Sequence, residues 1–401
     1  FGCFTRDLNE ICSWLCACKV DTVAMEATGI YWLPLYFKLK DSGIDVVLVN
    51  ARDVKNISEK KTDEADAEWL MLLHTYGLLK ASFQPENEAR KVRNLARHRN
   101  NILKASSKEV LHMQKAMGQM NIKLSTVLSD ITGLSGRRII TAILQGQRNI
   151  YELAALAEPN CKASQEDIAL SLEGTWDVDL LFMLKQSLAA YDFFLSQVGE
   201  CDMEIERLLS LYGAQIEAGS AELIRCKRKN KRSKNAPRMD IENFAYQLWG
   251  VNVFEIPGLK DTAVMHLIGE LGHDFVDKFG SAEKFSSWCN LTPNNKISGG
   301  KILSSKIMKR KNPVGQIFRT AVAPLARDKG EMGNYYRRIK SRSGALQANV
   351  TTAHKMAKIF YTMVKTKTSY NASKVGLGER ELAERKIAKL ECLLMKLKNV
   401  S

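Results

Sequence analysis

The chain reads as an α/β domain followed by an all-α remainder, and three observations predict this. Two short apolar runs, DTVAME (21–26) and DVVLVN (45–50), alternate with helical segments near the N-terminus, the pattern of a parallel sheet. From Asn87 onward helical periodicity replaces that alternation. The chain also has 401 residues, 45% hydrophobic and 26% charged, which is enough for two or three domains with sizeable cores.

In chain order, residues 6–18 predict a helix, and 21–26 a short buried strand ending at Glu26. Thr28 and Gly29 turn the chain, and IYWLPLYFKLKDSG reads as a helix that Gly43 ends. A second strand covers 45–50. The stretch EKKTDEADAEW (59–69) opens a helix that runs to about Tyr76, with Thr62 as its cap and Asp63 and Asp66 in its first turn. A long helix spans Asn87 to about Gln119, with Val92, Leu95, Ile102, Val110, Met113 and Met117 as an apolar stripe. A second long amphipathic segment runs from Leu180 to about Leu211, so the pair predicts a helical hairpin or coiled coil. A C-terminal region begins near Gly250, and an amphipathic helix over 379–399 closes the chain. The boundaries expected are 1–79 (α/β domain), 80–211 (helical region), 212–249 (basic linker), 250–370 (mostly helical domain) and 371–401 (closing helix).

Net charge is +15, an excess that points to a polyanion, most simply nucleic acid. Its arrangement is more informative than its total. Between Glu222 and Asp240 there is no acid but there are eight Lys/Arg, among them Lys227, Arg228 and Lys229, and residues 284–327 contain no acid at all. Arg90, Arg93, Arg97, Lys104, Lys108 and Lys115 recur at steps of three, four or seven, so they share a helix face. A solvated face usually mixes signs, and a one-sided stripe fits phosphate contact better. The nine cysteines are scattered in no zinc spacing and read as reduced thiols of a cytoplasmic protein. No apolar run is long enough to span a membrane, and no signal peptide is visible.

Three constellations carry candidate chemistry. Glu26 sits at the carboxyl end of a strand, where α/β sheets place their sites, and Asp63 and Asp66 are neighbours one helical turn apart. Hard oxygen ligands of this kind suit Mg²⁺; the alternative is a loop cap and a charged first turn. IPGLKDTAVMHLIGELG (256–272) resembles a helix-hairpin-helix, with Gly258 in a turn that offers backbone N–H groups to a DNA phosphate; a plain interhelical turn is the alternative. In LTPNNKISGGKILSSKIMKRKNP (291–313), Ser298 is followed by Gly299 and Gly300 and flanked by Lys296 and Lys301, a loop that could present a nucleophile or be an ordinary connection.

In this order, VAMEATGIYW, KKTDEADA, IPGLKDTAV, LTPNNKISGGK and NPVGQIFRTAVAPLA resemble the DEDD-type insertion-sequence transposases (insertion sequence family 110, with its 1111 subgroup) over nearly the whole chain. The resemblance implies a RuvC-like (RNase H-like) N-terminal domain, a coiled-coil segment and a C-terminal transposase domain. It implies that Glu26, Asp63 and Asp66 match the last three carboxylates of a Mg²⁺-binding set, and that Ser298 matches a serine that becomes covalently linked to DNA. It further implies a dimer or tetramer with a composite site, acting on element ends and target DNA chosen by a guide RNA, with no membrane partner. The family's first aspartate lies on an N-terminal strand in a GIDVSK-like segment that does not precede Phe1. Asp7 falls in a helix and does not replace it, so this chain by itself is expected to be inactive. Two other readings stay open: a RuvC-like nuclease using water, which needs no serine, and a non-catalytic nucleic-acid-binding remnant.

Overall fold

The computed structural model describes residues 1–51, 54, 62–216, 225, 233–308, 312–375, 384, 387 and 391. Lys227, Arg228 and Lys229 lie outside them, as does the helix expected over 379–399 apart from residues 384, 387 and 391. The chain divides into two compact units, Phe1–Gln84 and Pro85–Ser401. The helical region and the C-terminal region, separate domains in the sequence reading, therefore fall in one unit.

The first unit runs α1 (Thr5–Ala17), β1 (Thr22–Glu26), α2 (Trp32–Asp41), β2 (Asp45–Val49) and α3 (Asp63–Thr75). β1 and β2 pair in parallel, Thr22 opposite Asp45 through Glu26 opposite Val49, as the βαβ alternation predicts. Cys12, Tyr36, Leu39, Ile44, Val46 and Leu48 form its core, drawn from α1, α2 and β2.

The second unit is built on two long antiparallel helices, α4 (Asn87–Gln119) and α9 (Val178–Ala214). Between them lie four short helices: α5 (Leu124–Val127), α6 (Leu134–Leu144), α7 (Ile150–Ala155) and α8 (Gln165–Ser171). These share a core with the far end of the hairpin, including Met113, Met117, Ile139, Ile140 and Leu184. Along α9 the buried residues Leu184, Tyr191, Val198, Ile205 and Tyr212 recur every seven positions, the seam of a coiled-coil-like packing. Within that seam lies a charge pair the apolar pattern does not announce. Arg99 of α4 (1% exposed) and Asp202 of α9 (4% exposed) meet through two hydrogen bonds of 2.6 and 3.2 Å, and Arg99 also donates to the Asn235 carbonyl.

That third contact fixes the segment 233–240 against the hairpin. Lys234 adds hydrogen bonds to Asp130 Oδ2 (2.9 Å) and Thr132 Oγ1 (2.5 Å), and Arg225 pairs with Asp240. Two members of the run expected to be a basic linker are thus engaged within the fold. The remaining elements are α10 (Ile241–Trp249), α11 (Asp261–Leu271), α12 (Phe275–Phe279), α13 (Ala282–Trp288), β3 (Pro293–Ser298), β4 (Lys301–Ile307), α14 (Pro313–Val322) and α15 (Glu331–Thr366), the last broken at Gly344 (φ 82°). Trp249, Phe275, Phe285, Phe318 and Phe360 form a connected aromatic core here. α11 docks on α4 so closely that a Cβ at Gly269 would lie 2.7 Å from the Arg93 backbone. Among the described residues no helix is long and apolar enough to cross a membrane.

Gly258 and His266 report on this docking. Gly258 has φ +97°, and a Cβ there would lie 2.2 Å from the Ala321 carbonyl oxygen. Gly258→Ala is therefore expected to lower stability by about 1–3 kcal/mol without any nucleic acid present, measured by urea denaturation. His266, on α11, is pushed down to about 4 by burial and by the Arg99 and Arg97 charges, so it stays neutral in the fold. A histidine depressed from 6.5 to about 4 takes up its proton more readily when unfolded. Stability is then complete above pH 6.5 and is lost as pH falls toward 4, by up to about 3 kcal/mol. His266→Gln is expected to flatten this slope in unfolding experiments between pH 7 and pH 4.

Candidate active site

In the first unit the sheet presents Glu26 at the end of β1, level with Val49 at the end of β2, and the Ala27 amide continues the ladder to the Val49 carbonyl. Glu26 is exposed and accepts a hydrogen bond from Thr28 Oγ1. Gly29 (φ +58°) then turns the chain into α2, as the Thr-Gly pair predicts. Thr62 caps α3 by accepting from the Ala65 amide at 3.2 Å. At the other end of α3, His74 Nε2 lies 2.6 Å from Thr22 Oγ1, the first residue of β1. α3 thus packs on β1, with its carboxyl-terminal turn against the start of the strand.

Asp63 and Asp66 are exposed. Among the described residues, however, no three His, Cys, Asp or Glu side chains come close enough together to hold one metal ion. The three carboxylates do not form a closed cluster. Their donor chemistry still suits Mg²⁺, which commonly takes one or two carboxylates and completes its shell with waters and substrate phosphates. Asp63 and Asp66, one turn apart, fit such an open arrangement.

Ser298 does not lie in a loop, as the sequence reading has it. It is the last residue of β3, and Gly299 (φ +54°) and Gly300 (φ +74°) form a two-residue turn into β4. Positive φ at both central positions is what a type I′ hairpin turn requires. The register pairs Ser298 with Lys301 and Ile297 with Ile302, then skips one residue so that Lys296 meets Ser304 and Asn294 meets Lys306. Paired residues share a face, so this bulge puts Ser298, Lys301, Lys296, Ser304 and Lys306 on one side of the ribbon. Ile297, Ile302 and Ile307 occupy the other. The ribbon is solvated along nearly its whole length, with Ile297 and Ile302 each 62% exposed.

Its feet are held firmly. Asn312 donates to the Trp288 carbonyl at 2.9 Å and accepts from the Gly315 amide at 3.0 Å, capping α14. Arg319 on α14 reaches back to the Asn290 carbonyl at 2.9 Å. Gly315 packs against the Cys289 carbonyl, where a Cβ would approach to 2.0 Å. A rigid base therefore presents a serine and three lysines at the tip and side of a protruding hairpin. Lys306 is not singled out by local sequence; the signal that finds it is the Ser-Gly-Gly-Lys turn between alternating segments, which predicts a hairpin and hence a register.

The basic stripe of α4 divides in two. Arg97 pairs with Glu270 of α11 (2.6 Å), and Arg90 donates to Asn87. Arg93 lies under α11, where burial pushes its guanidinium below its ordinary range while Glu270 opposes that shift. Arg93 and Arg97 thus face α11, whereas Arg90 bonds within its own helix. Lys104, Lys108 and Lys115 are exposed and remain on the outer face. The Pro257-Gly258 turn precedes α11, but Gly258 packs against α14, and the element before it is a single 3₁₀ turn at Val253–Glu255.

Two family models match the chain. A DEDD transposase model of IS110 type, described as transposase, covers residues 5–122, and a model described as transposase IS116/IS110/IS902 family covers residues 252–337. No curated protein matches the chain. Glu26, Asp63 and Asp66 fall within the first match and Ser298 within the second, and together the two take in both the α/β unit and the hairpin. The chain belongs to the IS110 family of insertion-sequence transposases, enzymes that cut and rejoin DNA.

Proposed function

We propose that DNA is cut and rejoined through Ser298, whose hydroxyl oxygen attacks a backbone phosphorus. A serine–phosphate ester bond forms as one phosphodiester bond breaks, and the serine proton leaves with the released DNA hydroxyl. The number of phosphate ester bonds is unchanged, so rejoining by the reverse attack needs no nucleotide cofactor. The observation that supports this reading is the hairpin register. Lys301 is the cross-strand partner of Ser298, and Lys296 and Lys306 share its face, so positive charge surrounds the phosphate that approaches the hydroxyl.

Glu26, Asp63 and Asp66 are the residues that would hold Mg²⁺. When bound, that ion neutralises charge on phosphodiester oxygens and orients them. The exposed lysines of α4 offer a second cationic surface to a nucleic-acid backbone, and a guide RNA is the occupant the family resemblance implies. Work as a homo-oligomer belongs to the same reading.

Two experiments test the proposal in a protein that carries this sequence together with the complete carboxylate set. With guide RNA, DNA and Mg²⁺, a protein–DNA adduct that resists denaturant is expected. Ser298→Ala loses it while still binding DNA, and Lys301→Gln slows its formation about 10²-fold. Mass mapping of the adduct to Ser304 or Ser305 shows that a different hairpin serine reacts, and cleavage that continues in Ser298→Ala without adduct favours a water-using nuclease. Asp63→Asn is expected to abolish recombination but leave the thermal midpoint in metal-free buffer unchanged or higher, because it removes a charge beside Asp66 one turn away. Normal recombination by that variant removes these carboxylates from the active site.

A further inference from the structure

α15 is two helices rather than one. Gly344 has φ 82° and ψ 168°, a conformation essentially confined to glycine, and no neighbouring atom lies within 4 Å of where its Cβ would stand. The break is therefore not shaped by packing at Gly344 itself. Tyr335, nine residues before it, has the Lys355 ammonium, eleven residues after it, 4.5 Å from its ring centre. Along one straight helix those residues would stand about 30 Å apart. The two halves thus fold back on each other, and residues 340–347 form the tip of the corner. None of these eight residues is buried. Leu346 is 89% exposed, more than any other large apolar side chain among the described residues. Arg338, Lys340 and Arg342 are exposed beside it, and among the described residues neither Lys340 nor Arg342 meets a carboxylate. From Met332 to Gly378 the sequence holds nine Lys/Arg and no Asp or Glu.

We propose that the tip of α15 is a wedge that bends duplex DNA, with Leu346 entering between two stacked base pairs while Lys340 and Arg342 take the flanking phosphates. An apolar side chain on a basic protrusion can unstack a base step and kink the duplex by about 20–90°. The insertion takes the leucine out of water, and the phosphate contacts offset the cost of unstacking. A protein partner fits the tip less well, because one leucine ringed by cations is not a wide apolar patch. The tip is also tied to the Ser298 hairpin. Asn349, five residues past the break, donates to the Arg319 carbonyl at 3.0 Å, and the Arg319 guanidinium donates to the Asn290 carbonyl at the hairpin's foot at 2.9 Å. Tip and foot are thus separated by less than one turn of duplex, about 34 Å, and one DNA molecule can meet both protrusions. Such a wedge favours pyrimidine–purine steps, which kink most easily, and so adds a sequence preference without any hydrogen bond to a base edge. Bending needs no reaction at Ser298, so the proposal is independent of the chemistry assigned to that residue.

The test uses the whole chain and a duplex of about 40 base pairs with central TA steps and a dye at each end, a stiff rod against a persistence length of about 150 base pairs. Binding at low salt is expected to raise energy transfer between the dyes and to make thymines at the TA steps reactive to permanganate. Leu346→Ala should abolish both signals while keeping the circular-dichroism spectrum and most of the affinity. Lys340→Gln combined with Arg342→Gln should instead weaken binding and reduce the log–log salt slope by about 1.8, two phosphate contacts at about 0.9 each. A duplex that stays straight on the wild-type chain, or one that Leu346→Ala bends as well as wild type does, overturns the proposal. So does a salt slope that the double substitution leaves unmoved, or a loss of binding that appears on single-stranded RNA or on vesicles of anionic phospholipid but not on the duplex.

Discussion

The second unit depends on one buried ion pair. Arg99 and Asp202 stand inside the α4–α9 seam, where a single charge without its partner is costly and the satisfied pair admits few alternatives. An apolar seam of heptad spacing can slide by a turn with modest loss, whereas a bidentate pair between one arginine and one aspartate cannot. The pair therefore sets the register of the two long helices. Because Arg99 also holds the Asn235 carbonyl, the same residue fixes where the chain returns after α9. Glu86, just before α4, receives hydrogen bonds from Tyr212 of α9 and from the His273 amide after α11, so the base of the hairpin is tied to the C-terminal helices at a second point.

That frame explains why the Ser298 hairpin can protrude. A two-stranded ribbon with both faces in water has little stability of its own. Its geometry is inherited from below, through Asn312, Arg319 and Gly315 at its feet and the aromatic core of Trp249, Phe275, Phe285 and Phe360 beneath them. Rigidity at the base with exposure at the tip suits a nucleophile that must enter the groove or backbone of a large substrate. A deep pocket would exclude duplex DNA.

Much of this was legible in the sequence, and what was not has physical reasons. The bounds of α4 follow directly from its apolar stripe, since a long amphipathic helix repeats its signal many times. The parallel pairing of β1 and β2 follows from the alternation of strand and helix, and the Thr62 cap from its place before an acidic turn. Periodicity shows that Arg90, Arg93, Arg97 and Lys104 share a face but not which part of that face another helix will cover. Gly269 on α11, small enough to sit on the Arg93 backbone, decides that, and it lies far away in sequence. Arg99 reads as one more surface cation because nothing local distinguishes a buried arginine from a solvated one. The hairpin is legible too: Gly-Gly between Lys-Ile-Ser and Lys-Ile-Leu is a type I′ turn signal, and it carries the register with it.

The positive charge of the chain is accordingly of two kinds. Arg93, Arg97, Arg99 and Lys234 are held by carboxylates or buried under other helices, and they orient elements of the fold. Lys104, Lys108 and Lys115 on α4, and Lys296, Lys301 and Lys306 on the hairpin, are exposed. Cations of the second kind are the ones placed to release counterions when phosphates arrive, which ties them to the salt dependence of nucleic-acid binding. A net charge of +15 overstates the phosphate-binding surface for the same reason. These six lysines form two separate groups, one along a rigid helix and one on the face of the hairpin that carries Ser298. The first group suits sequence-independent contact with a long backbone. The second is compact enough to surround a single phosphate, and the role proposed for Ser298 rests on that arrangement.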